Sequence, residues 1–356
     1  MDSTAGGFFF SFDPPSAEGG GLGSAVAGTG QTAAGAAHGV VSWPPATTST
    51  AAFPWVPLDA DTLQSWAAAY CGGGGSGASQ AGVSTQRGGR TPKPLQLRLH
   101  AASAPALTLC YQTPPEVDTL TSVVAAADAA PSDSAPREHR DVIPGRYYGG
   151  LKVWSCAVLL AQYLAEHAVV YRDMLAAAAV VVELGCGQGL PGMAAMCLGA
   201  RRVAFQDFNA EVLDVCTKPN VAATMLANAD ARGGSSGGDG DGVATAPAPQ
   251  AKFIHGDWVE LAWEAVDGAA CDVILGADVT FDKEACDKLA CVLQRWLRPR
   301  TGVALLASKD YYFGTSGGHL EFTKSAEPHG LRVELLTRVD TADKMPHVVL
   351  RVTHAS

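Results

Sequence analysis

Val180-Val181-Val182-Glu183-Leu184-Gly185-Cys186-Gly187-Gln188-Gly189-Leu190-Pro191-Gly192 decides how the rest of the chain is read. Three valines and Leu184 form an apolar run of the kind that a central parallel strand buries on both faces. Gly185, Gly187 and Gly189, with Cys186 and Gln188 between them, predict a turn that lets a ligand approach the backbone closely. Met193 to Leu198 then supply an Ala/Met-rich helix whose N-terminal amides face that turn. Strand, glycine turn and helix in this order predict a nucleotide-like ligand.

Two registers compete for that ligand. Gly187-x-Gly189-x-x-Gly192 fits the dinucleotide pattern G-x-G-x-x-G, whereas Glu183-x-Gly185-x-Gly187-x-Gly189 fits the E/D-x-G-x-G-x-G of S-adenosylmethionine-dependent methyltransferases. Both want an acid at the end of the next strand to hold ribose hydroxyls, and Asp207 follows Arg202 to Gln206. Asp207 therefore does not discriminate. Glu183 favours the methyl-donor register, which wants a carboxylate near the ligand's amino-acid end.

Bulk composition narrows the partners. Of 356 residues only 17% are charged, against a usual share of about 25%, and 40 glycines mark low-complexity stretches. A net charge of −10 gives no general attraction for nucleic acid and suits a basic protein partner. Nine cysteines without C-x-x-C spacing fit reduced intracellular thiols, and Cys186 reads as a small packing residue. Neither a signal peptide nor a transmembrane run is read, so a monomer in cytoplasm or nucleus, away from membranes, is expected.

Residues 1–140 read as a low-complexity region that is largely disordered. Within it, Trp55 to Tyr70 predicts a short helix, while Leu95 to His100 and Leu107 to Tyr111 predict a hairpin. Phe8-Phe9-Phe10-Ser11-Phe12 is an aromatic cluster without a core, and Gly72 to Arg90 and Ala125 to Arg140 read as loose linkers. Residues 141–356 read as the folded domain. Leu151 to Glu166 and Lys283 to Leu297 are helices, Glu211 to Asn228 is a helix interrupted near Pro219, and 229–250 is a surface insertion. Strands at Lys252 to His255, Cys271 to Gly276 and Val303 to Ser308 alternate with these helices. Arg332 to Val339 and His347 to Thr353 form a closing strand pair. The expected fold is α/β: a Rossmann-like, class I, seven-stranded sheet with an antiparallel C-terminal edge.

Ligands of such sheets bind at the carboxyl ends of the strands. Those ends bring together Glu183 to Gly189, Gln206-Asp207-Phe208, Gly256-Asp257-Trp258, Ala277-Asp278 and Ser308-Lys309. Asp257 is placed to accept adenine amino hydrogens, with Trp258 on the ring face. Asp278 lies where a methyl group would emerge and is the candidate catalytic residue, orienting the acceptor or taking its proton. No metal cluster is read.

Further strings surround these positions: Tyr148-Gly149-Gly150-Leu151-Lys152-Val153-Trp154, Phe205-Gln206-Asp207-Phe208-Asn209, Thr217-Lys218-Pro219-Asn220-Val221 and LLASKDYYFGTSGG from Leu305 to Gly318. With them, the chain from about Asp141 to His354 resembles the eukaryotic histidine protein methyltransferase family. The resemblance implies S-adenosylmethionine held by Val153, Trp154, Ser155, Cys156, Ala157, Gly185, Gln206, Asp207, Phe208, Gly256, Asp257, Trp258 and Ala277, alongside Glu183, Gly187 and Gly189 of the turn. It implies methylation of an imidazole nitrogen on a basic large-subunit ribosomal protein. Two departures stand out. The family's Glu-x-x-Tyr is Asp278-Val279-Thr280-Phe281 here, and Ser155 replaces the acid after Trp154.

Overall fold

The computed structural model describes residues 53–70, 94–101, 104–113, 142–143, 145–229, 247–261, 270–340 and 345–355. The valine run becomes β4 (Val181–Leu184), buried at all four positions. It pairs in parallel with β5 (Arg202–Asp207) on one side and β7 (Val273–Ala277) on the other. Beyond β5 lies β6 (Gln250–His255), and beyond β7 lies β8 (Val303–Lys309). Successive side chains of β4 enter opposite apolar clusters: Val181 packs with the layer containing Leu160 and Met193, Val182 with the layer containing Leu289 and Trp296. A strand covered on both faces needs apolar residues on both, which is why Val181, Val182 and Leu184 do not alternate with exposed positions; Glu183 is the buried exception.

The first layer comprises α2 (Ser155–Glu166), α3 (Ala168–Ala177), α4 (Leu190–Cys197) and α6 (Lys218–Ala227). The second comprises α7 (Lys283–Trp296) and α8 (His319–Ala326). Lys218 is preceded by α5 (Ala210–Val212) and a π-helical turn at Leu213–Thr217, so the helix expected to break at Pro219 runs on. Pro219 lies within this continuous helical run, and the Val215 carbonyl that its missing N–H leaves open accepts from Gln112 Nε2 at 3.2 Å.

β10 (His347–His354) runs antiparallel to both β8 and β9 (Leu331–Val339), the expected finish of a Rossmann-like methyltransferase sheet. The strand count differs from expectation. β1 (Val56–Pro57) adds an antiparallel edge to β6, making eight strands in the order β1-β6-β5-β4-β7-β8-β10-β9. α1 (Ala60–Tyr70) packs beside α6, and the hairpin β2 (Pro94–Ala101) with β3 (Ala104–Gln112) buries Leu99, Leu107 and Leu109 in the first layer's core. The expected boundary at residue 140 thus follows elements that share the domain's core. The readings for 1–50, 72–90 and 125–140, and nearly all of the 229–250 insertion, lie outside the described residues. Strand order reverses around β4, which opens a crevice at its carboxyl end.

Candidate functional site

A cavity of about 270 Å³ occupies that crevice. Val153, Trp154, Ala157, Glu183, Gly185, Gly187, Asp207, Phe208, Gly256, Asp257, Trp258, Ala277 and Asp278 all line it. Thirteen of the predicted residues therefore converge on one space.

The turn is built from backbone that L side chains avoid: φ is +59° at Gly185 and +50° at Gly187. A Cβ on Gly187 would stand 3.1 Å from Gly150 O, and one on Gly185 would stand 2.9 Å from Val279 Cγ1 and 3.6 Å from Trp258. The cradle thus fits a ligand that presses on bare backbone.

Four predicted residues are not among those lining the cavity, and each has a structural occupation. Gln206 is fully buried and acts as a bracket. Its Oε1 accepts from Gly185 N at 3.1 Å and from Trp258 Nε1 at 2.6 Å, while its Nε2 donates to Gly256 O at 2.9 Å. One amide ties together the ends of β4, β5 and β6. Gly189 faces Thr217 and Phe205, leaving no gap for a ligand. Cys156 is buried, and both its main-chain N–H and its thiol meet Asp278. Ser155 points instead to His347 Nε2, 2.6 Å away.

Glu183 lines the cavity but works mainly beneath the turn. Its Oε2 accepts from Gly192 N at 2.8 Å, satisfying an amide at the start of α4 that has no side-chain cap. Burial pushes its carboxyl well above the usual range, against the pull of that N–H. A Cβ at Gly192 would lie 2.6 Å from Oε2, so the third glycine of the dinucleotide pattern serves packing here.

Asp207 accepts from Gly187 N at 2.9 Å and from Asn209 N at 3.0 Å. Burial raises its pKa to about 6 despite these donors. The Phe208 main-chain N–H also donates to this carboxylate, so about one of its four lone-pair sites is left for a hydroxyl donor. Asp257 departs from expectation. Its Oδ2 meets Lys288 Nζ at 2.7 Å and its Oδ1 accepts from Val259 N at 3.1 Å. Lys288 also reaches Glu284 at 2.8 Å; burial opposes its charge, yet the two carboxylates hold its pKa above the ordinary value. An adenine amine at Asp257 would share that carboxylate with an ammonium.

Asp278 closes the β7 end. It adopts φ +55°, a left-handed conformation that an L residue holds only where its surroundings insist. Oδ2 accepts from Cys156 N at 3.1 Å, and Oδ1 accepts from the Tyr312 hydroxyl at 2.8 Å. Burial, then the nearby Asp278 charge, push the Tyr312 phenol well up, so it stays a neutral donor. The helix that follows is capped by Asp282, which accepts from Ala285 N at 2.7 Å, so Asp278 is not needed as its cap.

Tyr312, Lys288, Glu284 and Tyr148 also line the cavity, and sequence reasoning assigned them no role. Tyr312 stood in the quoted Leu305 to Gly318 string, where its neighbours hid which tyrosine turns inward. Tyr148 packs edge-on against Phe208 at 4.9 Å and tilted against Phe281 at 5.8 Å, so Phe281 extends an aromatic collar at the cavity. Six carboxylates (Glu183, Asp207, Asp257, Asp278, Asp282, Glu284) face two lysines (Lys152, Lys288) across the lining. An acidic, aromatic pocket of this kind favours a cationic ligand that carries hydroxyls and a ring.

Residues 146–232 match a family model described as lysine methyltransferase. The chain is 35% identical over 199 residues to a histidine protein methyltransferase 1 homolog of Rattus norvegicus, covering 54% of this chain and 53% of that one. It is also 35% identical over 182 residues to a histidine protein methyltransferase 1 homolog of Dictyostelium discoideum, covering 51% and 50%. The chain spans about half the length of these curated relatives. Among solved structures, the magnesium protoporphyrin IX methyltransferase of Synechocystis aligns at 14% identity and a TM-score of 0.38, over 55% of this chain and 81% of that one.

Proposed function

We propose that this chain is an S-adenosylmethionine-dependent protein methyltransferase whose acceptor is a histidine imidazole of a basic large-subunit ribosomal protein. The observation that carries the reading is the acidic cavity at the end of β4, with Asp207 on one flank and the clamped Asp278 on the other. The curated relatives' names support the histidine acceptor.

S-adenosylmethionine supplies an electrophilic methyl group on a positively charged sulfur. The chain's own residues do the remainder. Asp207 accepts a ribose hydroxyl through the lone pair that its three main-chain donors leave open, and Trp258, fixed by Gln206, offers a ring face to the base. Asp278 accepts the N–H of one imidazole nitrogen, which leaves the lone pair of the other directed at the methyl group. Alignment of this kind is most of what an in-line displacement requires. After transfer the imidazolium sheds the N–H proton through Asp278 to solvent.

A second reading, a lysine acceptor on the same fold, is favoured by the description of the matching family model. Mass spectrometry of ribosomal proteins from cells lacking the gene separates the two. The expected result is loss of one methylhistidine from a large-subunit protein, with lysine methylation intact. Unchanged histidine methylation throughout the large subunit would overturn the assignment.

A further inference from the structure

Gln188, the side chain between the second and third glycines of the turn, has all its amide hydrogen-bonding positions engaged. Oε1 accepts from Gln112 N at 2.7 Å and from Asn220 Nδ2 at 3.1 Å. Nε2 donates to Gln112 O at 2.8 Å and to Leu151 O at 2.8 Å. A primary amide has two donors and two acceptor lone pairs, so nothing is left over. Both Gln188 and Gln112 are buried.

The pairing with Gln112 uses both main-chain groups of the last residue of β3. The hairpin therefore bonds to the turn's side chain as it would to another strand. Gln112's own Nε2 donates onward to Val215 O at 3.2 Å and Asn220 Oδ1 at 3.3 Å. Elsewhere β3 is docked on α6, through Cys110 N to Thr224 Oγ1 at 2.8 Å and Thr108 N to Asn228 Oδ1 at 3.0 Å. Leu151, the third residue bonded to the Gln188 amide, lies between Gly150 and Lys152, both of which line the cavity.

We propose that the hairpin β2–β3 is a positioning element of the ligand cavity: Gln112 sets Gln188, and through it both the glycine turn and the Gly150–Val153 segment. The consequence for binding rests on the methyl-donor reading of the cavity. Removing one partner from a fully engaged buried amide leaves its mates unsatisfied, and the turn relaxes to recover them.

Hydrogen exchange on the full chain tests this without any ligand. Gln112→Pro removes the N–H that Gln188 accepts, on an edge strand of a two-stranded hairpin where that N–H goes to Gln188. In that variant the Gly187 and Gly189 amides should exchange about tenfold faster, while Thr108 and Cys110, which report hairpin docking, keep their protection. Gln112→Asn preserves the main chain and should stay within about twofold of wild type. Affinity for S-adenosylhomocysteine, measured by calorimetry, should fall in the same order. Wild-type exchange of the turn in a docked Gln112→Pro variant overturns the proposal. Should proline undock the hairpin, Gln188→Met, of similar shape but without the amide, decides from the other side. Faster turn exchange there supports the proposal and unchanged exchange overturns it. Failure of the wild type to bind S-adenosylhomocysteine would count against the methyl-donor reading, while the exchange data would still decide this one.

Discussion

The two flanks of the cavity are built differently. On the donor flank, the turn after β4 rests on buried partners: Gln206 brackets three strand ends, Glu183 satisfies Gly192, and Asp207 holds Gly187. On the acceptor flank, one carboxylate in a left-handed conformation is gripped by a helix amide and a phenol. Aromatics that line the cavity with it include Tyr148, Phe281 and Tyr312. The contrast teaches how each flank is held. The first flank is a cradle fixed by buried amides, whereas on the second the only phenol on Asp278 among the described contacts is Tyr312, and Phe281 contributes a ring without a hydroxyl.

The contrast is most easily broken at the turn. Gly185→Arg should weaken S-adenosylhomocysteine binding by at least about 100-fold, because it adds a side chain at φ +59° into space already claimed by Val279. Calorimetry on a folded variant checks this, and unchanged affinity would move the ligand elsewhere. Asp278→Ala should act on the other flank. Turnover should fall about 100-fold while S-adenosylhomocysteine affinity shifts less than about threefold. Loss of affinity with intact turnover would assign Asp278 to the donor flank.

A smaller effect sharpens the donor flank. The Asp207 carboxylate is the form that accepts a ribose hydroxyl, and burial raises its pKa to about 6. Protonation below that value removes an acceptor, so affinity should be level above it and then decline toward about tenfold per pH unit. Asp207→Asn should flatten the profile at lower affinity. A profile in the wild type that is flat down to pH 5 would remove Asp207 from ligand contact. The least effect belongs to Cys186. Burial, then the charges of Asp207 and Glu183, push its thiol well up, and it packs in the core. Cys186→Ala should change affinity and turnover by less than about twofold, and a large loss in turnover would make it a participant.

Much of the donor flank was legible in sequence because its devices are local. Glycines at alternate positions after an apolar run specify a turn by themselves, and strand ends after Gln206, His255 and Ala277 announce themselves by a change from apolar to polar residues. What was not legible depends on distant partners. Nothing near Asp257 in sequence reveals Lys288, which α7 delivers from the far side of β7. Gln206 read as a ligand contact because a polar residue beside Asp207 invites that reading. Its burial becomes clear only when Gly185, Gly256 and Trp258 converge on it. The hairpin at 94–112 looked peripheral because low-complexity runs flank it, and composition is blind to the pairing of Gln112 with Gln188. Eight strands replaced seven for the same reason: the two residues Val56 and Pro57 pair with β6 but carry no strand signal of their own.

The most direct test of the account is chemical. Purified protein would be incubated with tritiated S-adenosylmethionine and large ribosomal subunits from cells lacking the gene, and the labelled protein hydrolysed for amino-acid analysis. The account predicts label in methylhistidine, abolished by Gly185→Arg. Label in methyllysine, or no transfer by a protein that binds the donor, would contradict it.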